Sequence, residues 1–439
     1  MTENKKHPKG LYVLFSTEMW ERFGFYTMLA MFTLYLKGPV DGFGWSTAKA
    51  VSVDSTYIMC LYATPIFGGW IADKFLGYRN SVTLGGIFFT VGYALLMIKS
   101  EPMLYTALVL IIIGNGFFKP NVSAMLGNIY KEGSPLKDSA YNIFYLGINI
   151  GALMSPIAAE FLKAKYGFNI AFGAAAVGMI ISLITFWSGK KATRSIEQIE
   201  AEEDHAIEAG EAIIDAPFVE HKLEEEVPPI EKVRPAVRIF ALIVIYLVVI
   251  VFWMIFHQNG STLTIWADEN TAWSVSGIIS NAINPFWIII LTFPLVWFWG
   301  WLAKKGKEPG TVTKIFYGML LTALSFFIMY LAAVNGGDHG KVSAWWLIGS
   351  YGVISLGELM LSPMGLALVS KAAPKNVRGL MMGGWFLATA IGNKLTMIGV
   401  LWDKWPHSKF FMLLSLLALG TSFLLLILIN PLKKALPGV

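Results

Sequence analysis

Apolar blocks of about 20 residues recur along the chain, and they restrict its possible folds more than any other feature. A helix of about 20 residues crosses the hydrocarbon core of a bilayer. Helices are favoured there because lipid cannot satisfy backbone polar groups. The chain is 55% hydrophobic and only 14% charged, whereas soluble domains are about a quarter charged. We predict an all-α membrane protein with twelve spans, at residues 11–37, 50–73, 80–98, 103–130, 138–163, 168–187, 235–258, 273–302, 312–333, 343–372, 378–401 and 408–430.

A hydrophilic break divides these spans into six and six. Residues 188–233 are acidic, and they end in Pro228 and Pro229. They contain too few apolar side chains to form a core, so we interpret them as a solvated tether rather than a regulatory domain. The predicted domains are an N-terminal six-helix bundle at 1–187, a polar acidic cytoplasmic linker at 188–234 and a C-terminal six-helix bundle at 235–439.

Lysine and arginine are concentrated in the loops that face the cytoplasm if both termini lie there. This bias predicts a multi-pass protein of the cell inner membrane with cytoplasmic termini. The first helix is expected to be retained, because no small-residue cleavage site follows the basic start of the chain. The net charge of +5 reflects this sorting, so we expect no nucleic-acid partner. We expect a monomer in contact with the lipid bilayer.

The sequence contains none of the usual enzyme motifs. It has no metal-spaced cluster, nucleophile elbow or phosphate-binding loop. We therefore expect no enzymatic activity, no metal and no cofactor. The single cysteine, Cys60, excludes an intramolecular disulfide. A membrane sensor is expected to carry a folded extra domain, and the sequence shows none.

Charged residues inside the first apolar block carry the strongest functional signal. Helical spacing places Glu18, Glu21, Arg22 and Tyr26 on one side of the helix. Each charge at mid-bilayer costs about 2.5–3.5 kcal/mol, so these side chains are expected to face the protein interior. Two carboxylates beside one guanidinium carry an odd charge, and we predict that one of them exchanges a proton near neutral pH. The alternative is a purely structural ion network.

Two further titratable side chains interrupt later apolar blocks. Lys119 precedes Pro120, which kinks its helix. Lys119 requires an acidic partner or a substrate carboxylate, and Glu21 is the expected partner. In the seventh block, Trp253 and His257 are one turn apart. Histidine is the side chain best suited to change charge near neutral pH, so we favour a functional role for His257 over simple packing.

The remaining polar residues of the spans have two interpretations each. Asn149 and Asn284 bind either a ligand amide or a neighbouring helix, and Trp385 either lines a pocket or packs. Asp54 is either solvated near the outer end of its helix or a proton site. Lys394 has no assigned role beyond reaching the outer interface.

Glu358 is isolated in the apolar tenth block. A buried anion at this position suits the ammonium group of a ligand.

The loop after the second block is short and basic and contains glycines suited to tight turns. It resembles the loop signature of the major facilitator superfamily at Gly69, Asp73, Lys74, Gly77 and Arg79. Asp73 is expected at a helix end, where it pairs across the interface between bundles in one conformation. A second short basic loop at 300–314 occupies the equivalent position after the eighth block.

Together these residues resemble the proton-dependent oligopeptide transporter family. The family pattern E-x-x-E-R-F-x-Y-Y is present as Glu18, Glu21, Arg22, Phe23, Phe25 and Tyr26. The stretch F-Y-x-x-I-N-x-G is present as Phe144, Tyr145, Ile148, Asn149 and Gly151. KPNVS at Lys119, the GKEP loop and E-L-x-x-S-P in the tenth block also fit, so the resemblance covers nearly the whole membrane region.

The resemblance implies a fold and a function. The fold is that of the major facilitator superfamily, with two bundles that rock around a central site. The function is import of di- and tripeptides coupled to protons, with small peptides as substrates. Proton coupling is assigned to Glu18, Glu21, Arg22, Lys119 and His257. Peptide contact is assigned to Tyr26, Tyr62, Lys119, Asn149, Trp253, His257, Asn284, Glu358 and Trp385, with Glu358 at the amino terminus of the peptide.

Two positions depart from the family pattern. Leu29 stands where relatives usually carry a second arginine, and His257 stands where they usually carry a glutamate. Those two residues can pair across the bundles, and losing only one would leave an unpaired buried charge. The double change keeps open an alternative substrate, a small nitrate-like anion or another non-peptide metabolite. Glu358 argues against a bare anion, because its fixed negative charge would repel one.

Overall fold

The computed structural model describes residues 7–130, 136–195, 229–374 and 377–437. Nearly all of them are helical, and a two-residue bridge joins β1 to β2 in parallel. In chain order the elements are α1 (Lys9–Lys37), α2 (Thr47–Ala63), α3 (Pro65–Ile71), α4 (Gly77–Leu95), α5 (Glu101–Asn128), α6 (Leu136–Ser188), α7 (Pro235–Phe256), α8 (Thr262–Glu269), β1 (Thr271–Ala272), α9 (Ile283–Lys304), α10 (Thr311–Asn335), β2 (Val342–Ser343), α11 (Ala344–Ala372), α12 (Arg378–Leu395) and α13 (His407–Ala435).

Short segments of tighter or wider helix connect several of these elements. A π-helix follows α3 at Ala72–Leu76, and 3₁₀ segments lie at Pro229–Lys232, His257–Gly260, Gly277–Ala282 and Thr396–Leu401. The long α6 is two helical segments joined at Gly167, whose φ of 81° is non-helical. Glycine adopts this conformation without a steric penalty, so Gly167 is where the chain turns between two consecutive spans.

Length and composition identify membrane spans within this helical structure. Among the described residues, eight helices are long and apolar enough to cross a bilayer. The first helix is not among them although it has 29 residues, because its three central charges lower its mean hydropathy. The structure therefore confirms an all-α, multi-pass membrane protein. The number of twelve spans remains a prediction.

The buried apolar side chains form two clusters, one in each half of the chain. The first cluster draws on residues 11–186 together with Ile278, and the second draws on residues 230–436. Ile278 packs into the opposite cluster and marks a place where the halves touch. Residues 196–228 of the predicted linker lie outside the described residues, so the predicted domain boundaries remain a proposal.

The two halves are joined at the end of the molecule where α1 ends and α13 begins, which we call the distal end. There the Lys37 ammonium lies 2.9 Å from the Glu269 carboxylate, and Thr33 donates a hydrogen bond of 3.0 Å to the Gly260 carbonyl. Asp338, in the loop after α10, accepts a hydrogen bond from the Ser408 backbone at the start of α13. α1 therefore begins, and α13 ends, at the opposite, proximal end.

Candidate functional site

The charged face of α1 is buried as the sequence predicts. Glu18, Glu21 and Arg22 expose 2%, 0% and 3% of their surfaces. Arg22 Nη2 donates a hydrogen bond of 2.6 Å to Glu21 Oε1, and Arg22 Nε donates to the other oxygen of the same carboxylate. Glu18 Oε1 lies 3.4 Å from Arg22 Nε, while Glu18 Oε2 is buried and has no hydrogen-bond partner in the part of the chain that the structure describes. Glu21 is therefore fully paired, and Glu18 is the carboxylate with free bonding capacity.

A glycine on α6 allows this charged segment to pack tightly. A Cβ atom added at Gly151 would lie 2.3 Å from the Met19 carbonyl and 3.1 Å from Arg22 Cβ. Any larger residue would displace α6 from α1. The F-Y-x-x-I-N-x-G stretch thus has a physical reason to end in glycine, because close helix packing keeps Arg22 and its carboxylates away from lipid.

Lys119 does not form the expected ion pair with Glu21. No carboxylate of the described ranges lies within 4 Å of its ammonium group, which instead lies 4.9 Å from the centre of the Tyr62 ring. The prediction failed because Arg22, the next residue in the same helix, already holds both oxygens of Glu21. Lys119 remains half-buried on α5 and is available to a ligand carboxylate.

His257 lies across from Tyr62, in the opposite half of the chain. The two ring centres are 5.9 Å apart, with the rings edge to face. One ring nitrogen of His257 lies 3.2 Å from the Trp253 carbonyl, and the ring centres of His257 and Trp253 are 5.0 Å apart. Because α7 ends at Phe256, His257 lies in the following 3₁₀ turn. Lys119, Tyr62 and His257 thus form a line of side chains that connects the two halves.

Glu358 on α11 is held by an amide from α9. Asn284 Nδ2 donates hydrogen bonds of 2.9 Å to Glu358 Oε2 and to Ser355 Oγ. Among the described residues no lysine or arginine forms an ion pair with Glu358. Its carboxylate lies within electrostatic reach of Tyr26, Tyr62 and Tyr145 in the opposite half. The predicted residues Tyr26, Tyr62, Lys119, His257 and Glu358 are therefore brought together.

Three predicted peptide-contact residues are buried and make contacts within the protein. Asn149 donates its side-chain amide to the Tyr145 carbonyl of its own helix, at 2.9 Å. Trp253 exposes 8% of its surface. Trp385 exposes only 3%, because its ring packs on Gly365, where an added Cβ atom would lie 1.8 Å away. In this conformation Trp385 packs between α11 and α12 rather than lining an open pocket.

The predicted loop motif forms a bent connection between α3 and α4. Asp73 and Lys74 lie in the π-helix and are exposed, and Asp73 forms no ion pair with another described residue in this conformation. Gly77 has a φ of 71°, which favours glycine. Arg79 donates hydrogen bonds of 3.0 Å to the Lys190 carbonyl and 3.1 Å to Thr193 Oγ1. Gly69 faces Pro120 of α5, with an added Cβ atom 3.7 Å from that ring.

The structure shows the surroundings of Asp54 and Lys394, whose roles the sequence left undecided. Asp54 exposes 1% of its surface, and neither carboxyl oxygen has a hydrogen-bond partner among the described residues. The solvated interpretation of Asp54 is therefore wrong. Lys394 Nζ donates a hydrogen bond of 2.6 Å to Thr56 Oγ1, so Lys394 joins α12 to α2 across the two halves.

The contact between Glu160 and Ser276, which also joins the halves, was not predicted from the sequence. Glu160 on α6 accepts a hydrogen bond of 2.9 Å from the Ser276 backbone N–H, and a second bond from the Ser276 hydroxyl. Ser276 precedes the 3₁₀ segment Gly277–Ala282, so Glu160 caps an element of the opposite half. The available signal was weak: a single carboxylate inside an apolar block, and a serine before a helical turn.

In the described ranges, no group of three histidine, cysteine or acidic side chains is close enough to share a metal ion. The polar groups of the site are suited to bind the two charged ends of a small organic ligand. Lys119 offers a cation from one half and Glu358 an anion from the other.

Comparisons with known proteins give a consistent result. The family model described as the POT family matches residues 79–201 and 193–409. An uncharacterized transporter of Bacillus subtilis is 34% identical, and the match covers 99% of this chain and 96% of that protein. Dipeptide and tripeptide permease A of Escherichia coli is 32% identical over 88% of this chain and 83% of that protein.

A solved structure of a POT family transporter in complex with 5-aminolevulinic acid has a TM-score of 0.85 and 26% sequence identity. The match covers 98% of each chain. The arrangement of helices is therefore shared along the whole length, which confirms the predicted fold class.

Proposed function

The chain belongs to the POT family of transporters, and we propose that it is a proton-coupled symporter that imports di- and tripeptides by alternating access. The observation that carries this proposal is a pair of charges that form no ion pair with another described residue, Lys119 in one half and Glu358 in the other. A short peptide has a carboxylate at one end and an ammonium group at the other. Binding one such ligand pairs both charges at once and draws the two halves together.

The proton site is assigned to the α1 cluster and His257. Arg22 donates to both oxygens of Glu21, whereas only one oxygen of Glu18 lies near Arg22. Glu18 therefore gains or loses a proton without breaking the main ion pair. His257 lies next to Tyr62, which itself contacts Lys119. A change in the protonation of His257 therefore affects the surroundings of Lys119, the residue proposed to bind the peptide carboxylate.

The conformation fits one step of the cycle. Lys37–Glu269, Thr33–Gly260, Glu160–Ser276 and Lys394–Thr56 all close the distal half of the molecule. With both termini in the cytoplasm of a bacterial-type inner membrane, this is the outward side. The protein then acts as a monomer in the bilayer and releases substrate toward the proximal end.

Uptake of labelled dialanine by purified protein in liposomes tests the proposal. An inward proton gradient is expected to drive accumulation, and a protonophore is expected to abolish it. Uptake that does not depend on the gradient would support peptide transport and refute the proton site. Folded protein without uptake would refute peptide transport itself.

A second candidate is proton-coupled transport of a non-peptide metabolite. It is favoured by the similar structure that binds 5-aminolevulinic acid, a molecule with an amino group and a carboxylate. Leu29 also removes a second cation from the site. Glu358→Gln separates amino-bearing ligands, peptides included, from a simple anion, because it should abolish uptake of the former and spare the latter. Peptide uptake that survives Glu358→Gln would contradict the role of Glu358.

A further inference from the structure

An apolar groove lies on the outside of the second half, near the proximal end. Its volume is about 480 Å³, and it is lined by side chains of α9, α10 and α11, including Phe298, Leu302, Tyr317, Leu321 and Met360. The groove exists because α9 packs poorly along its proximal half. The buried residues of this 22-residue helix are Pro285 and Ile288, both in its first two turns.

The turn after α9 fixes three lysines at the mouth of this groove. Gly306 has a φ of 66°. Its N–H donates to the Ala303 carbonyl, and the Lys307 N–H donates to the Leu302 carbonyl at 3.0 Å. These two backbone hydrogen bonds form a Schellman motif, which ends a helix in a defined turn. Lys307 lines the groove itself, and Lys304 and Lys305 are exposed on the preceding residues.

The positive charge at the mouth is not neutralised by the protein. Within the described ranges, no carboxylate lies within 4 Å of Lys304, Lys305 or Lys307. The nearby Glu308 is 2.5 Å from Lys314, so its charge is already matched. The three exposed lysines therefore favour an anion from outside the chain.

Aromatic side chains place this mouth at the level of lipid headgroups. Trp297 and Trp301 expose 71% and 42% of their surfaces, and tryptophan is enriched where the hydrocarbon core meets the headgroups. Lys305 Nζ lies 3.7 Å from the centre of the Trp301 ring. An apolar groove below this level and free cations above it match the two parts of a phospholipid.

We infer that this groove binds an acyl chain of an anionic phospholipid, whose phosphate group is held by Lys305 and Lys307. This site is separate from the proposed transport site, because it lies between helices of one half and involves none of the predicted site residues. Attraction to anionic lipid is worth about 1 kcal/mol for each basic residue near the surface. Two lysines therefore predict a preference for anionic over zwitterionic lipid of about thirtyfold.

Native mass spectrometry of the purified protein tests this site. The protein is mixed with phosphatidylglycerol or phosphatidylcholine of identical acyl chains, and the retained lipid is counted. Wild-type protein is expected to retain phosphatidylglycerol about thirtyfold more strongly. Lys305→Gln with Lys307→Gln should remove this preference. Lys433→Gln with Lys434→Gln should keep it, because those exposed lysines lie in the last turn of α13 and do not line the groove.

The groove itself is tested by filling it. Leu321→Trp is expected to reduce retention of both lipids, and the thermal unfolding midpoint shows whether the variant is folded. Equal retention of the two lipids by wild-type protein would overturn the inference. So would an equal loss in both lysine variants, or full retention by folded Leu321→Trp. If Leu321→Trp does not fold, the two lysine variants decide the matter alone.

Discussion

Arg22 and Glu21 are chain neighbours, and the Arg22 guanidinium donates to both oxygens of the Glu21 carboxylate inside the protein. Such a two-bond pair is geometrically specific and stronger than a single hydrogen bond. It leaves Glu18 with a buried oxygen that has no partner. The three charges thus divide into a fixed pair and one carboxylate suited to proton exchange.

Glu21→Gln is therefore expected to destabilise the protein more than Glu18→Gln. Removing one member of a buried ion pair costs about 3–5 kcal/mol, because the other charge is left uncompensated. Thermal unfolding in detergent measures the difference. Glu18→Gln should remain folded and lose gradient-driven accumulation while retaining peptide exchange. Equal stability of the two variants would contradict this division of roles.

Lys119→Ala should lower peptide uptake without lowering stability. The change breaks no ion pair with another described residue, whereas the charge-assisted bond to the peptide carboxylate is lost. A bond of that kind is worth about 1.5–3 kcal/mol, or about ten- to a hundredfold in uptake at low substrate concentration. Lys99→Ala is a suitable control, because Lys99 is bonded to the Val40 carbonyl near the distal end. A large loss of stability in Lys119→Ala would reveal a partner for Lys119.

Asn284→Ala is expected to raise the KM for peptides by about three- to tenfold, because Glu358 loses the amide that orients it. Vmax should change less, since Glu358 itself remains. Asn281→Ala serves as the control, because Asn281 bonds to Thr264 and to the Ile278 carbonyl instead. Initial uptake rates over a range of peptide concentrations measure both constants. An unchanged KM in Asn284→Ala would show that Glu358 needs no positioning by this residue.

His257→Ala should uncouple the proton from the peptide. Accumulation driven by the gradient is expected to disappear, while exchange of labelled for unlabelled peptide continues. The two assays on the same liposomes separate loss of coupling from loss of binding. Full accumulation by His257→Ala would place coupling on Glu18 and Glu21 alone.

Glu160→Ala should favour opening of the distal end, because it removes both hydrogen bonds to Ser276. Bonds to a charged group are worth about 1.5–3 kcal/mol, so the closed-to-open ratio should fall about tenfold or more. Spin labels at Val40 and Lys341, in a Cys60→Ser background, report the distance between the halves. Glu101→Ala is the matched control, since Glu101 bonds to Trp45 and Lys49 within one half. Equal distance distributions in both variants would show that Glu160 does not hold the halves together.

Much of the fold could be predicted from local patterns. Hydropathy and helical period depend on residues that are close in sequence, so the apolar blocks and the buried face of Glu18, Glu21 and Arg22 were identified correctly. The structure places Lys119 near Tyr62, and the roles assigned to Tyr26, Tyr62, Lys119 and Glu358 stay predictions. The break predicted at residues 164–167, between the fifth and sixth blocks, coincides with the turn at Gly167, whereas the number of spans stays a prediction.

The sequence by itself determined which residues are helical and which charges have to avoid lipid, because both follow from short-range composition. Only the tertiary structure decided the partner of each polar group. Glu21 pairs with Arg22 rather than with Lys119, and Asp54 is buried. Trp385 packs on Gly365, and Glu160 bonds to Ser276 in the opposite half. These outcomes depend on how the helices are rotated and how closely they approach. Packing between residues far apart in the chain sets both, as at Gly151 against Met19, and no local pattern records it.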